Sequence, residues 1–533
     1  MPKPVLTTPD LIWIKLHRRI GESIEAQQSG QLAEYWEVLA HHFGLAKEWA
    51  KALDYHLKAG RKAQNIYANQ DAAHHFRQAL KAAEQTPHSE ARQLTAHERL
   101  SDVLATVGDY DNALAHIKRA RELVSEAGFS SKDAVCRRAD LYHKTASIYE
   151  KKSDYDTAFE WLHKGLKLLK GMEVIEAARI YLLGGGIYHR RGNNTEAIEW
   201  CKKSLATAEK IESREKNSVI AHAYRLLGLS WSRLGDSDRA IEFCLQSLDT
   251  YRQIEDVTGA AEAHINLGVG YFNQGNWPQA TEHYLQALEI KRKTGDVYYQ
   301  AVITLNLGGV YLNQGGLDQA AYYNQQSLGI WQELGSTYAI ALLHNNMADV
   351  ALWRGKYDEA LSLLQKSLAL FQEIESTDFL PEVCRHLAQA YQGQGELDQA
   401  LEQAQRSLAL AQEQEMRLEE GASRRVLAQV YLARNELGLA EQELQKSLQI
   451  LEELNSRYEV GQTLFQSSLL YRQQKRSSEA DFALHKAIAI FEELGARLDL
   501  AQAQSLQSSL WPSQKLKLSD SQTLDSTSER SKL

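Results

Sequence analysis

A step of 40 residues runs through the second half of this chain without a single insertion. Leu227, Leu267 and Leu307 open the segments LGLSWSRLGDSDRAIEF, LGVGYFNQGNWPQATEH and LGGVYLNQGGLDQAAYY. Gly235, Gly275 and Gly315 hold their loop position, and Gly355, Gly395, Asn435 and Lys475 continue it. Five residues beyond each stands an alanine, from Ala240 to Ala480. Seven further on comes a serine or alanine, from Ser247 to Ala487. Such a register confines the fold to an array of like units. Similar marks extend upstream with uneven spacing, at Gly192 with Ala197, Ser153 with Ala158, and Gly108 with Ala113.

One unit can be read from Ala261 to Ile290. Leu267, Gly268 and Tyr271 share a face of a first helix. Asn273-Gln274-Gly275-Asn276 ends it, with glycine available for the left-handed turn. Pro278 opens a second helix, where a missing N–H costs nothing, and Pro381 marks a helix start in the same way. Ala280, Tyr284 and Ala287 form the buried face of the second helix. Neither helix can bury its face alone, so only stacked pairs are stable. Coupling in such arrays is mainly between neighbours, and a disturbance is expected to stay local.

The pattern Leu-Gly-x-x-Tyr-x-x-x-Gly-x-x-x-x-Ala-x-x-x-Tyr-x-x-Ala, from Leu267 to Ala287, resembles the tetratricopeptide repeat. Its period of 40 exceeds that family's usual length, and the proline that ends the usual unit is absent. The longer variety resembles the Leu-Gly-Asn family of adaptors and the sensor arms of bacterial multidomain ATPases. LHRRIGESIEA and the AEYWEVLAHHFGLAKEWAKALDYHLKAG stretch also resemble the junction of bacterial ATPase and nucleotide-cyclase signalling proteins. These resemblances imply an all-α, right-handed solenoid of about twelve antiparallel helix pairs. They fix fold more firmly than function.

The organisation expected is a helix or junction over 1–30 and irregular helix pairs over 31–130. A regular array over 131–495, a capping helix over 496–510 and a disordered tail over 511–533 follow. Joints are expected near Gln85–Glu90, with Pro87, or near Glu126–Ser131. Only 7 prolines and 32 glycines in 533 residues suit continuous helix. The tail ends in Ser531-Lys532-Leu533, which matches a peroxisomal address but follows a stretch rich in the same residues. Targeting and chance both stay open.

Charge excludes some functions. Between Phe371 and Val460 there are 17 acidic and 8 basic residues, which accounts for the whole net charge of −9. No basic stripe marks a nucleic-acid binder. No apolar run approaches the length of a membrane span. The acidic stretch would attract a partner with a basic flank, or is simply a solvated helix surface. Cys136, Cys201, Cys244 and Cys384 lie far apart, as in a reducing, cytoplasmic compartment.

Chemistry is hard to place. No phosphate-binding loop occurs, and Gly184-Gly185-Gly186 reads as close helix packing. His41-His42 and His74-His75 are adjacent and point to different faces, so no metal site is expected. Cys201 and Cys244 share a repeat position and read as core residues. No catalytic, cofactor-binding or metal-binding residues are assigned, and the chain is not expected to be an enzyme.

A binding surface remains. Nine residues before the loop position stand Asn266, Asn306 and Asn346, with His386 next in the row. An amide donates and accepts together, so such a row can pair with an extended peptide backbone. In peptide-binding tetratricopeptide domains an asparagine here clamps the ligand backbone, which the resemblance carries to these three. Asn273, Asn313, Asn345, Asp349, Arg385, Gln389, Arg425 and Gln429 are neighbours by helical phase. The alternative is that the amides bond the adjacent repeat. Two functions follow: a scaffold holding a peptide or protein segment on the concave wall, or a sensor arm controlling a separate ATPase or cyclase. Oligomeric state is not legible.

Overall fold

The computed structural model describes residues 8–66, 68–124 and 131–510. Most of the 126–131 joint, the 511–533 tail and its Ser-Lys-Leu end lie outside the described residues. Among those described, every regular element is helical: twenty-five α-helices and one 3-10 turn at Leu32–Glu34. The chain forms two compact units, Met1–Leu234 and Gly235–Leu533. The division falls at Gly235, the first glycine of the even 40-residue series.

Unit 1 holds α1 (Thr8–Gln27), α2 (Trp36–Leu45), α3 (Trp49–Asn65), α4 (Asn69–Glu84), α5 (Glu90–Thr106) and α6 (Tyr110–Leu123). It continues with α7 (Ser131–Lys151), α8 (Tyr155–Leu168), α9 (Ile175–Arg190), α10 (Asn194–Ala208) and α11 (Lys216–Arg233). Unit 2 begins with α12 (Ser237–Gln253), α13 (Val257–Gln274), α14 (Trp277–Lys293), α15 (Val297–Asn313), α16 (Leu317–Leu334) and α17 (Thr337–Trp353). Then come α18 (Tyr357–Glu373), α19 (Leu380–Gln394), α20 (Leu397–Glu413), α21 (Arg417–Ala433) and α22 (Leu437–Glu453). The last three are α23 (Arg457–Gln473), α24 (Ser477–Leu494) and α25 (Arg497–Leu510). Odd- and even-numbered helices pack as hairpins from α3 with α4 to α9 with α10, and from α13 with α14 to α23 with α24. Within each unit successive hairpins pack on one another, and in unit 2 α25 closes the series against α24. This is the all-α solenoid class that the register predicts.

Local chemistry explains the hairpin. Pro278 and Pro381 stand in the first turns of α14 and α19. The loop position takes positive φ whatever residue occupies it, 83° at Gly275 and 62° at both Asn435 and Lys475. Ala280, Ala320, Ala360, Ala400 and Ala440 are fully buried at the helix crossing. The second small position has a further reason. Ser327, Ser367 and Ser447 donate 2.8 Å hydrogen bonds to the carbonyls of Ala301, Ala341 and Gly421, each 26 residues earlier. Ser407 does the same to Pro381 at 2.7 Å. Each such bond ties second helix to first and contributes roughly 1 kcal/mol.

Histidine pairs pin three hairpins. Nδ1 of His56 meets Nδ1 of His75 at 3.1 Å, and the same contact joins His97 to His116 and His264 to His283 at 2.8 Å. One ring must donate and the other accept. Burial, reinforced by the facing ring, pushes His56, His97 and His264 down to about 4. All three are therefore neutral at pH 7.

Unit 2 also contains contacts between distant hairpins. Trp277, Ala280 and Tyr284 of α14 share one hydrophobic cluster with Leu484, Phe491 and Leu494 of α24 and Ala503 of α25. This goes beyond nearest-neighbour coupling. Ala280→Arg, at a fully buried site, is expected to cost about 3 kcal/mol or more. Amide exchange should accelerate in α24 and α25 as well as in α13–α16. Acceleration limited to α13–α16 would show that the cluster does not act as one cooperative unit.

Candidate functional site

The first helices of successive hairpins in unit 2 turn a polar row toward one another. Residues one or two turns apart lie on one face of a helix, which groups Asn345 with Asp349 on α17 and Arg385 with Gln389 on α19. Arg425 with Gln429 on α21 repeats the pattern. Asn345 is fully buried, and its Nδ2 donates to Glu382 Oε1 at 2.9 Å. Its Oδ1 accepts from His386 Nδ1 at 2.9 Å, which places the imidazole proton on Nδ1. His386 Nε2 then faces Asp349 Oδ2 at 3.9 Å as a bare lone pair.

The ladder continues along the array. Arg385 Nε donates to Glu419 Oε2 at 3.2 Å. Arg425, itself buried, pairs with Glu459. Tyr458 and Gln462 donate to the two oxygens of Asp499 on α25, at 3.1 and 3.2 Å. Each bond joins one first helix to the next. Five carboxyl groups thus stand with two guanidinium groups.

Electrostatics follow from burial and this imbalance. Burial pushes Glu382 up to about 7, Glu419 adds to the shift, and Arg385 and Asn345 oppose it. Burial likewise raises Asp349 to about 6 against the pull of Arg385, with Asp499 and Glu459 adding. Burial opposes the charge of Arg385, yet Glu419, Glu382, Glu459 and Asp349 hold its pKa above the ordinary value. Glu459 is also resisted by burial, but Arg425 and Arg385 bring it below the usual range. Burial keeps His386 neutral, helped by Arg385. Arg385 therefore senses groups on both neighbouring and more distant first helices.

The asparagine row predicted from sequence lies beside this ladder. Asn306 hydrogen-bonds the Tyr284 hydroxyl on the preceding hairpin. Asn266 Nδ2 is buried without a hydrogen-bond partner, and Asn346 is half-buried on α17. Asn273 is exposed at the end of α13, and Asn313 is half-buried at the end of α15. Gln389 and Gln429 are half-buried at the register of Asp349. The structure thus joins Asn345, Asp349, Arg385, His386 and Arg425 in one network and leaves the remaining seven outside it.

Sequence reasoning missed Glu382, Glu419, Tyr458, Glu459, Gln462 and Asp499. A signal existed, because Arg385 with Glu419 and Arg425 with Glu459 repeat the same spacing of 34 residues. Unit 1 carries a related ladder. Lys144 bonds Asp102 at 2.7 Å, Arg179 meets Asp140 at 3.0 Å, and buried Glu98 pairs with Arg137. Among the described residues no group of three or more His, Cys, Asp or Glu side chains could hold a metal ion. None of their helices is long and apolar enough to cross a membrane.

The raised Glu382 carboxyl yields a pH test. A carboxyl whose pKa rises on folding favours its protonated form, so its contribution is intact below about pH 4.5 and lost as pH climbs through about 7. Glu382→Gln keeps an acceptor for Asn345 without the charge. Its melting temperature should match the parent at pH 5 and exceed it at pH 8. An equal shift at both values would remove the ionisation of Glu382 as the cause.

No curated protein matches this chain in sequence. Among solved structures, a signal transduction ATPase with numerous domains and a tetratricopeptide repeat sensor, from Pyrococcus horikoshii, aligns at 16% identity and a TM-score of 0.47. The match covers 69% of this chain and 54% of that one. Aspartyl phosphate phosphatase F from Bacillus subtilis aligns at 13% identity and a TM-score of 0.44, covering 68% and 94%. A plasmid Rap conjugation gene regulator in complex with the Phr* peptide aligns at 14% identity and a TM-score of 0.43, covering 69% and 96%. The tetratricopeptide repeat profile matches residues 176–256, 258–333, 338–413 and 381–453, together just over half of the chain. The chain belongs to the tetratricopeptide repeat family.

Proposed function

We propose that this protein is a non-catalytic interaction scaffold in which unit 2 holds an extended peptide or protein segment against its first helices. The observation that carries the reading is the inward polar ladder, with three more carboxyl groups than guanidinium groups. A ligand's arginine or lysine would complete it, because opposite charges attract strongly where water is scarce. Asn266, Asn306 and Asn346, one per repeat, would pair with the ligand backbone. The partner chemistry is thus a segment with a basic flank. We place its action in the cytoplasm, and the wide separation of the four cysteines in sequence supports that choice.

A random peptide library selected on the full chain tests this reading. Selected peptides should be enriched in lysine and arginine, and affinity should fall with salt. Changing Asn266, Asn306 and Asn346 together to alanine should weaken the best peptide roughly a hundredfold, at about 1 kcal/mol per amide. Helix content should survive, since alanine is the better helix former. Unchanged affinity in a folded triple variant would return the amides to packing. Enrichment without basic residues would remove the role given to the carboxylates.

One observation favours a second reading, the sensor arm of an ATPase or cyclase system. Helix α1 leaves Ile12 64% and Trp13 55% exposed, beside exposed Leu11 and Leu16. Such a face suits docking to another module. A cyclase or ATPase encoded beside this chain should co-purify with it, and Ile12→Glu with Trp13→Glu should release it. Retention by the double variant would sink the role of α1.

A further inference from the structure

Successive hairpins of a solenoid touch because the chain joins them. Unit 2 has an additional interface that chain connection does not impose. The loop that links α24 to α25 lies against two loops from the opposite end of the unit. A Cβ built on Gly275, between α13 and α14, would stand 2.5 Å from Leu494 Cδ2. A Cβ on Gly315, between α15 and α16, would stand 2.9 Å from Leu498 Cγ and 3.1 Å from the Leu498 backbone nitrogen. Trp277, 1% exposed, meets the Tyr458 ring edge-on at 5.4 Å between centroids.

The register supplies its own control. Gly355 and Gly395 occupy the same loop position with φ of 69° and 83°, and a Cβ there would meet nothing within 4 Å. Asn435 and Lys475 fill that position with side chains. Backbone geometry therefore tolerates a side chain at this loop position, whereas one at Gly275 or Gly315 would have to displace Leu494 or Leu498. The inner charges agree with a closed circuit. Asp349 on α17 feels Asp499 on α25, and Arg385 on α19 feels Glu459 on α23.

We infer that unit 2 is a closed ring with one non-sequential seam, where the α24–α25 turn clasps the Gly275 and Gly315 loops, and that the ring opens there. Among the described residues of unit 2, every other substantial interface joins helices of one hairpin or of neighbours in the chain. The seam can therefore part while each hairpin keeps both its neighbours, apart from the pairs at the two ends. Its parting exposes two loop contacts, Trp277 and one side of α25, and leaves the ladder along α17–α23 intact. Use of this opening to admit a ligand rests on the peptide-binding reading above, but the ring and its seam do not.

Hydrogen exchange on the full chain, without ligand, tests the proposal. Gly315→Ala and Gly275→Ala should make α25 amides exchange on the order of tenfold faster, because overpacking displaces the clasp. Gly355→Ala and Gly395→Ala impose similar strain at positive φ and should leave α25 protected. If the glycine variants fail to fold, Leu498→Ala removes seam contact from the other side and should act alike. Small-angle scattering should show a larger radius of gyration for the Gly275 and Gly315 variants. Equal protection of α25 in all four glycine variants, or faster exchange limited to each mutated loop, would overturn the seam. Peptide affinity takes no part in this readout, so failure of the binding reading would remain a separate result.

Discussion

The close crossing of two helices within each hairpin sets everything built upon it. Alanine at the first crossing point admits no larger group, since a fully buried Cβ already fills the space. Serine at the second does more than stay small. Its hydroxyl reaches the first helix's carbonyl, so the two helices are held by direction as well as by volume. A hairpin held in this way presents nearly the same shape each time. Identical shapes stacked with identical offsets curve steadily, and in unit 2 the curvature brings α24 and α25 to the loops after α13 and α15.

The inner ladder depends on that curvature too. Carboxylates and guanidinium groups gathered in a confined space lose water, and their mutual attraction recovers only part of that loss. Seven ionisable groups with an excess of acid are an expensive lining for a purely structural wall. Apolar residues at the same positions would stabilise the fold at least as well. The ladder instead gives direction: each bond runs from one first helix to the next and keeps the rows in step. His386 shows the limit of this arrangement, because Asn345 takes its proton-bearing nitrogen and leaves a lone pair facing a carboxyl group.

The array was legible in the sequence because its determinants recur within one unit. Gly275, Pro278, Ala280 and Ala287 declare a turn, a helix start and two crossing points inside thirteen residues. The lining was legible only in part. Helical phase was enough to gather Asn345, Arg385 and Arg425, which share a register position. It could not supply Glu419 or Glu459, whose partners lie one repeat away and whose own register holds Asp499 as well. The asparagine row stood out because it repeats, yet the structure gives Asn306 a neighbour in Tyr284 that spacing alone does not disclose. The clasp was the least visible feature. Closure results from small rotations summed over six hairpins, and its only local traces are Trp277 beside the loop and the bare contacts of two glycines.

An even register of near-copies invites recombination, because misaligned repeats exchange a whole unit without breaking the reading frame or a helix. An open solenoid absorbs such events, growing or shrinking by one hairpin with its ends still free. A ring has no such latitude. One hairpin more would carry Leu494 and Leu498 past the glycines that receive them, and one fewer would leave them short. The clasp in unit 2 therefore counts repeats, and it converts a locally harmless duplication or deletion into loss of closure.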